Sequence, residues 1–217
     1  MGVCGTKDEP PQKDRNLHVE DNPNETKRPK YTVLVCGAGQ CGKHEFLREL
    51  AINAGNWEAG QTHVLLVDRH TEITLVDGAV ASSLASVDDV DYVLFFVSLA
   101  EYDKRCEEDR TKSRMTMNVH LFKGRISLFE GKPIVLVFNH WDEFVKKINA
   151  GTLLPFDDYE DGKDPEKAYE YIQNTFTSLR DDPPLLAYKM DSRQINVWEV
   201  IKSEMLPFQF DDSELMN

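Results

Sequence analysis

Two short stretches carry side chains that could do chemistry. The first, "GAGQCGKH", runs Gly37, Ala38, Gly39, Gln40, Cys41, Gly42, Lys43 and His44, the spacing G-x-x-x-x-G-K. Glycines let a turn present successive backbone N–H groups to an anion, and the lysine ammonium reaches a nucleotide's terminal phosphates. The next position in that pattern is a Ser or Thr whose hydroxyl coordinates magnesium, and here it is His44. Magnesium demands hard oxygen ligands in an octahedron, so an imidazole is a poor replacement. Phosphate binding is therefore expected to outlast metal-assisted chemistry. The second stretch, "VLVFNHWDEF", places Asn139 and Asp142 at the N-x-x-D spacing that reads guanine. The carboxylate accepts there from both the ring N–H and the exocyclic amine. His140 occupies the usual lysine position. The bland alternatives are a simple glycine turn, an Asn that ends a strand and an Asp that caps a helix.

These groups need elements to hold them. "YTVLVC" reads as a buried strand that runs straight into the glycine loop, and "KHEFLRELAINA" as a helix with Phe46, Leu47 and Leu50 on one face. "HVLLVDRHTEITLVDG" reads as two strands joined by a tight turn at 68–70, and "VDYVLFFVSLA" and "KPIVLVFN" as buried strands. The segment 110–129 between them reads as a helix. "DPEKAYEYIQNTFTSL" opens with Asp164 as N-cap and Pro165 at the first helical position, then sets Ala168, Tyr171, Ile172 and Phe176 along one face. A last strand, "PLLAYKM", precedes a helix at 197–205. This alternation predicts an α/β fold, a mostly parallel six-stranded sheet with helices on both faces. In such sheets ligands bind beyond the carboxyl ends of the strands, where both motifs fall.

Composition narrows the function class. The 217 residues are 41% hydrophobic, enough for one substantial core. No apolar run approaches the roughly 18 residues of a membrane-spanning helix, and the start does not read as a signal peptide. Cys4, Cys36, Cys41 and Cys106 form no spaced framework, which predicts reduced thiols. Residues 1–30 hold six Lys/Arg and six Asp/Glu, so the whole net charge of −13 lies in the remainder. An acidic body repels nucleic acid and anionic lipid alike. Membrane attachment would instead come from "MGVCGT", which fits M-G-x-x-x-[ST]: Gly2 is a myristoylation candidate and Cys4 a palmitoylation candidate. One myristoyl chain binds marginally and two acyl chains hold firmly, so Cys4 would be the second signal. The expected location is the cytoplasmic face of the plasma membrane. The rest of the tail is polar and proline-interrupted and reads as a tether.

The chain resembles heterotrimeric G-protein alpha subunits. "VCGAGQCGKHEFLREL" looks like that family's phosphate loop and first helix. "FFVSLAEYDKRCEEDRTKSRMTMNVHLFKGRIS" follows its strand, S-D-Y-D turn and E-D…R-M…L-F helix, which small GTPases lack. "IVLVFNHWDEFVKKI" and "AYEYIQNTFTSL" match its base-reading strand and late helix. The resemblance implies a Ras-like P-loop domain over 31–208, between the lipidated tail 1–30 and an acidic tail 209–217. It implies GTP or GDP held by residues 37–44, Asp77, Asn139 and Asp142, and G-protein signalling partners. The departures are as informative. The family's helical insertion is reduced to the connection 54–62, and with it go the switch arginine and threonine. In that family the arginine is credited with roughly 10³ to 10⁵ in rate. Asp77 and Gly78 survive from the D-x-x-G-Q switch, but Val80 and Ala81 stand where its glycine and glutamine belong. The T-C-A base loop is not recognisable in "YKMDSRQ", and the beta-gamma and receptor-binding termini have no counterpart. Metal, charge stabilisation and water positioning are lost together, which predicts weak nucleotide binding, little role for magnesium and little or no GTP hydrolysis. Two readings stand: a membrane-anchored guanine nucleotide-binding signalling protein, or a pseudo-GTPase module that binds no nucleotide and competes for G-protein partners.

Overall fold

The computed structural model describes residues 30–54, 62–66, 72–78, 87–107, 109–160, 162–181 and 185–191. Its strands are the apolar runs of the sequence: β1 (Lys30–Gly37), β2 (Thr62–Leu66), β3 (Glu72–Asp77), β4 (Tyr92–Ser98), β5 (Ile134–Asn139) and β6 (Leu186–Lys189). They lie side by side in the order β2-β3-β1-β4-β5-β6. Five of them, β3 to β6 in that order, run parallel, and β2 pairs antiparallel with β3 at one edge. Every residue of β4 and β5 is buried, as expected of central parallel strands covered on both faces.

Because side chains alternate along a strand, each strand feeds two cores. Val93, Phe95 and Val97 of β4 pack with Phe122, Phe144 and Phe176, which belong to α2 (Arg114–Arg125), α3 (Trp141–Asn149) and α4 (Pro165–Thr177). Leu94 and Phe96 turn the other way, onto Phe46 and Leu47 of α1 (Lys43–Ala54). Phe122 is fully buried, 4.8 Å from the Phe95 ring and 5.7 Å from Phe176. Burying one such ring contributes about 1.5–3 kcal/mol.

Two helices differ from expectation for identifiable reasons. The 110–129 helix begins only at Arg114, because the Ser113 side chain caps it by accepting from the Thr116 N–H at 3.0 Å. The backbone before it is held in a loop by Cys106 N–H to Lys112 O and Arg114 N–H to Lys104 O. Its last turn, Ile126–Phe129, tightens to a 3₁₀ helix. In α4 the Asp164 cap and Pro165 fall as the sequence indicates, but Tyr169 is buried while Tyr171 stays half-buried. The turn at 68–70, the helix at 197–205 and both tails, Gly2 and Cys4 included, lie outside the described residues. No helix among the described residues is long and apolar enough to cross a membrane.

The register decides where function can sit. Val35 pairs with Asp77, Gly37 with Phe96 and Ser98 with Asn139. The carboxyl ends of β3, β1, β4 and β5 therefore finish along one rim of the sheet.

Candidate functional site

The rim is organised by a backbone loop. β1 ends at Gly37, where a Cβ would fall 2.5 Å from the Phe96 carbonyl oxygen and 2.8 Å from Cys41 Sγ, so only glycine fits. Ala38, Gly39 and Gln40 follow, and the Cys41 side chain turns inward, fully buried, which pushes its thiol up. Gly42 has φ +88°, and α1 starts at once with the Phe46 N–H donating to Gly42 O at 3.0 Å. The loop thus opens at a helix N-terminus, as an anion nest requires.

The charged groups converge on Asp77. Lys43 Nζ donates to Asp77 Oδ1 at 2.8 Å, with Asp77 1% exposed. His44 Nε2 stands 3.5 Å from the other carboxylate oxygen, its side chain largely exposed. One buried carboxylate therefore faces both the Lys43 ammonium and the His44 imidazole at the start of α1.

The second motif is tied to the first. Asn139 Nδ2 donates to Cys41 O at 3.3 Å across 98 residues of chain, and Asn139 Oδ1 accepts from the His140 N–H at 2.8 Å. His140 sits in the left-handed region at φ 65° and places Nδ1 3.0 Å from Ser98 Oγ. Asp142 lies in the first turn of α3, 3.9 Å from Lys146 Nζ. β6 closes this end: Trp141 N–H donates to Met190 O and Met190 N–H to Phe138 O. Lys189 Nζ lies 3.9 Å above the Trp141 ring and 2.8 Å from Glu166.

Between the loop and the turn after β4 opens a cleft of about 480 Å³. Lys43, His44, Ser98, Glu101, Lys104 and His140 are among its walls, and α3 contributes Glu143 rather than Asp142. A second cleft of about 510 Å³ lies between the loop and α2, with Glu101 and Arg114 on its wall. Glu101 accepts from Arg114 at 2.6 Å and Lys104 at 2.9 Å. Burial alone pushes its carboxyl up, yet those two bonds outweigh it and hold the group below the usual range.

The segment that carries this turn, helix and base-end motif is also the most recognisable. A family model described as G-protein alpha subunit matches residues 83–203, more than half of the chain. The chain belongs to the G-protein alpha subunit family. It is 37% identical over 92 residues to the "Guanine nucleotide-binding protein alpha-6 subunit" of Caenorhabditis elegans, covering 41% of this chain and 25% of that one. It is 33% identical over 141 residues to the "Guanine nucleotide-binding protein alpha-2 subunit" of Dictyostelium discoideum, covering 63% of this chain and 38% of that one. The chain therefore spans less than two-fifths of the length of either alpha subunit.

Within an alpha-subunit frame the structure brings together residues 37–44, Asp77 and Asn139, and leaves Asp142 off the cleft wall. Val80 and Ala81 lie outside the described residues. Magnesium, the ion this family implies, does not fit the donors present. The helix position that should offer a hydroxyl offers an imidazole, and the neighbouring carboxylate already faces Lys43 and His44. No group of three or more His, Cys, Asp or Glu among the described residues could hold a metal. Reading the sequence alone missed Ser98 and Glu101. Both sit in "FFVSLAEYD", where the signal was a polar residue closing a buried strand and a carboxylate at the rim.

Proposed function

We propose that this chain is a guanine nucleotide-binding signalling protein of the alpha-subunit type, in which a Ras-like domain over 31–208 binds GDP or GTP and hydrolyses it weakly or not at all. One observation carries the reading: the glycine loop, Lys43 and His44 line one cleft at the N-terminus of α1, an arrangement that receives an anion. Phosphate would meet the loop N–H groups and the Lys43 ammonium, and Asp142 would accept from the guanine edge. Magnesium contributes little, for the reasons of donor chemistry given above.

The relatives are named for guanine nucleotide binding, which supports the nucleotide class; G-protein partners follow as part of the same proposal. We also propose attachment to the inner leaflet through acyl chains at Gly2 and Cys4, with 1–30 as tether and 209–217 as an acidic tail. The deciding experiment is equilibrium titration with fluorescent GDP and GTP analogues, in magnesium and then in chelator. Saturable binding that Asp142→Ala weakens at least tenfold is the expected result. Fractionation of Gly2→Ala tests the anchor, and continued membrane residence of that variant would refute it.

A second reading draws on the Lys43–Asp77 pair. The loop's phosphate-seeking cation is already engaged by a buried carboxylate, which suits a pseudo-GTPase that offers only its outer surfaces to partners. Absence of nucleotide binding into the high micromolar range would select it.

A further inference from the structure

We propose that His44, as an imidazolium, takes the place of magnesium at this site, so that phosphate binding is independent of divalent metal and coupled to proton uptake. The inference rests on the nucleotide reading above and names what neutralises the phosphates there.

Asp77 is the hub of the charged groups at the start of α1. Its carboxylate is 1% exposed, with the Lys43 ammonium at 2.8 Å and the His44 imidazole at 3.5 Å. A polyphosphate seated on the loop draws the Lys43 ammonium toward itself. Phosphate oxygens and the Asp77 carboxylate then face each other across the start of α1, and two anions at that range require positive charge between them. Magnesium supplies it where a hydroxyl helps to hold the ion, but that hydroxyl is missing here. His44 has the required placement. Its Nε2 stands 3.5 Å from Asp77, and its side chain is 59% exposed and lines the cleft. Neutral imidazole adds no charge, so binding favours the protonated form and takes up a proton above the imidazole range.

Other groups face the same space. Lys43 and Glu45 come from α1, Asp77 from β3, Glu101 and Lys104 from the turn after β4, His140 from the N-cap of α3 and Glu143 from α3 itself. Of these, His140 is the second imidazole on the cleft wall. Its ring is committed to Ser98 at 3.0 Å, and it serves as the control.

The test is GDP and pyrophosphate affinity in excess chelator and in excess magnesium, from about pH 5.5 to about pH 8.5. The full-length wild type is compared with His44→Gln, His44→Arg and His140→Asn. The expected result is equal affinity with and without magnesium, falling toward tenfold per pH unit above the imidazole range. His44→Gln should lose that slope, leaving only the phosphate's own titration, which is common to all variants. His44→Arg should bind at all pH values with the same flat profile, and His140→Asn should keep the wild-type slope. A folded-state check is simple, because His44 is exposed and its variants should unfold with the wild-type midpoint. Binding that requires magnesium, or a slope that persists in His44→Gln, overturns the inference and leaves the nucleotide reading intact. Absence of GDP and pyrophosphate binding at every pH overturns both.

Discussion

Gly42→Ala is the sharpest probe of how the two motifs are joined. A Cβ at this position would clash with the Asn139 side-chain nitrogen and lie 3.2 Å from its Cγ, at a backbone φ of +88°. Alanine in the left-handed region costs about 1–2 kcal/mol. Relieving the overlap must also push Asn139 away and break its buried bond to Cys41 O, about 1–3 kcal/mol more for the unsatisfied groups. The expected loss is about 2–5 kcal/mol, a large share of the roughly 5–15 kcal/mol that keeps a domain folded. In urea denaturation followed by circular dichroism, a slope of about 2 kcal/mol/M gives a midpoint lower by about 1–2.5 M. Gly124→Ala is the internal standard. It lies in α2 with nothing within 4 Å of its Cβ, so it should gain up to about 1 kcal/mol. In an Asn139→Ala background the steric part of the Gly42→Ala cost should vanish and leave the backbone part, a coupling of at least 1 kcal/mol. A Gly42→Ala loss under about 0.5 kcal/mol, or strict additivity with Asn139→Ala, would show that Asn139 does not pin the loop.

Glu101→Gln removes the charge from its bonds to Arg114 and Lys104, and should lower stability by about 1.5–3 kcal/mol at neutral pH. The folded carboxyl is held below its ordinary 4.5, so its contribution is present above that value and disappears as pH falls through the folded one. Wild type and variant should therefore converge in acid, and a difference that persists at about pH 2 would contradict the ion pair as its source. Lys43→Met should destabilise the protein by about 3–5 kcal/mol without any nucleotide present, because it strips the ammonium from a buried pair. A Lys43→Met variant as stable as wild type would mean that the pair is not formed in solution.

Much of this was legible from local pattern. Strand, loop and helix around residues 31–54, the continuous apolar runs of β4 and β5, and the Asp164–Pro165 start of α4 each follow from rules that act within a few residues. What was not legible depends on contacts across the sheet. The loop that delays α2 to Arg114 is set by hydrogen bonds between residues 104–106 and 112–114, and helical periodicity is blind to such pairing. Tyr169 is buried in edge-on contact with Phe138 and Trp141 at 5.5 and 5.6 Å, whereas Tyr171 packs at the margin of the core with its hydroxyl donating to the exposed Asp158. The left-handed His140 is uncommon for any residue but glycine, and it is held by Ser98 and Asn139, 42 and 1 positions away.

This same separation bears on which reading of the site survives. The contacts that preserve the motifs, Gly42 under Asn139, Asn139 to Cys41, His140 to Ser98, all join one piece of protein to another. They stabilise the fold whether or not a nucleotide arrives, so the persistence of G-x-x-x-x-G-K and N-x-x-D does not by itself separate a binder from a relic. The group that separates them is Lys43. A phosphate must draw it from Asp77, and parting a buried pair costs about 3–5 kcal/mol if nothing replaces the ammonium, enough to weaken binding some hundred- to several-thousandfold. With a cation left beside Asp77 the cost falls and binding becomes competitive. The position after Lys43 therefore decides the matter, and there the chain carries an imidazole already within 3.5 Å of the carboxylate.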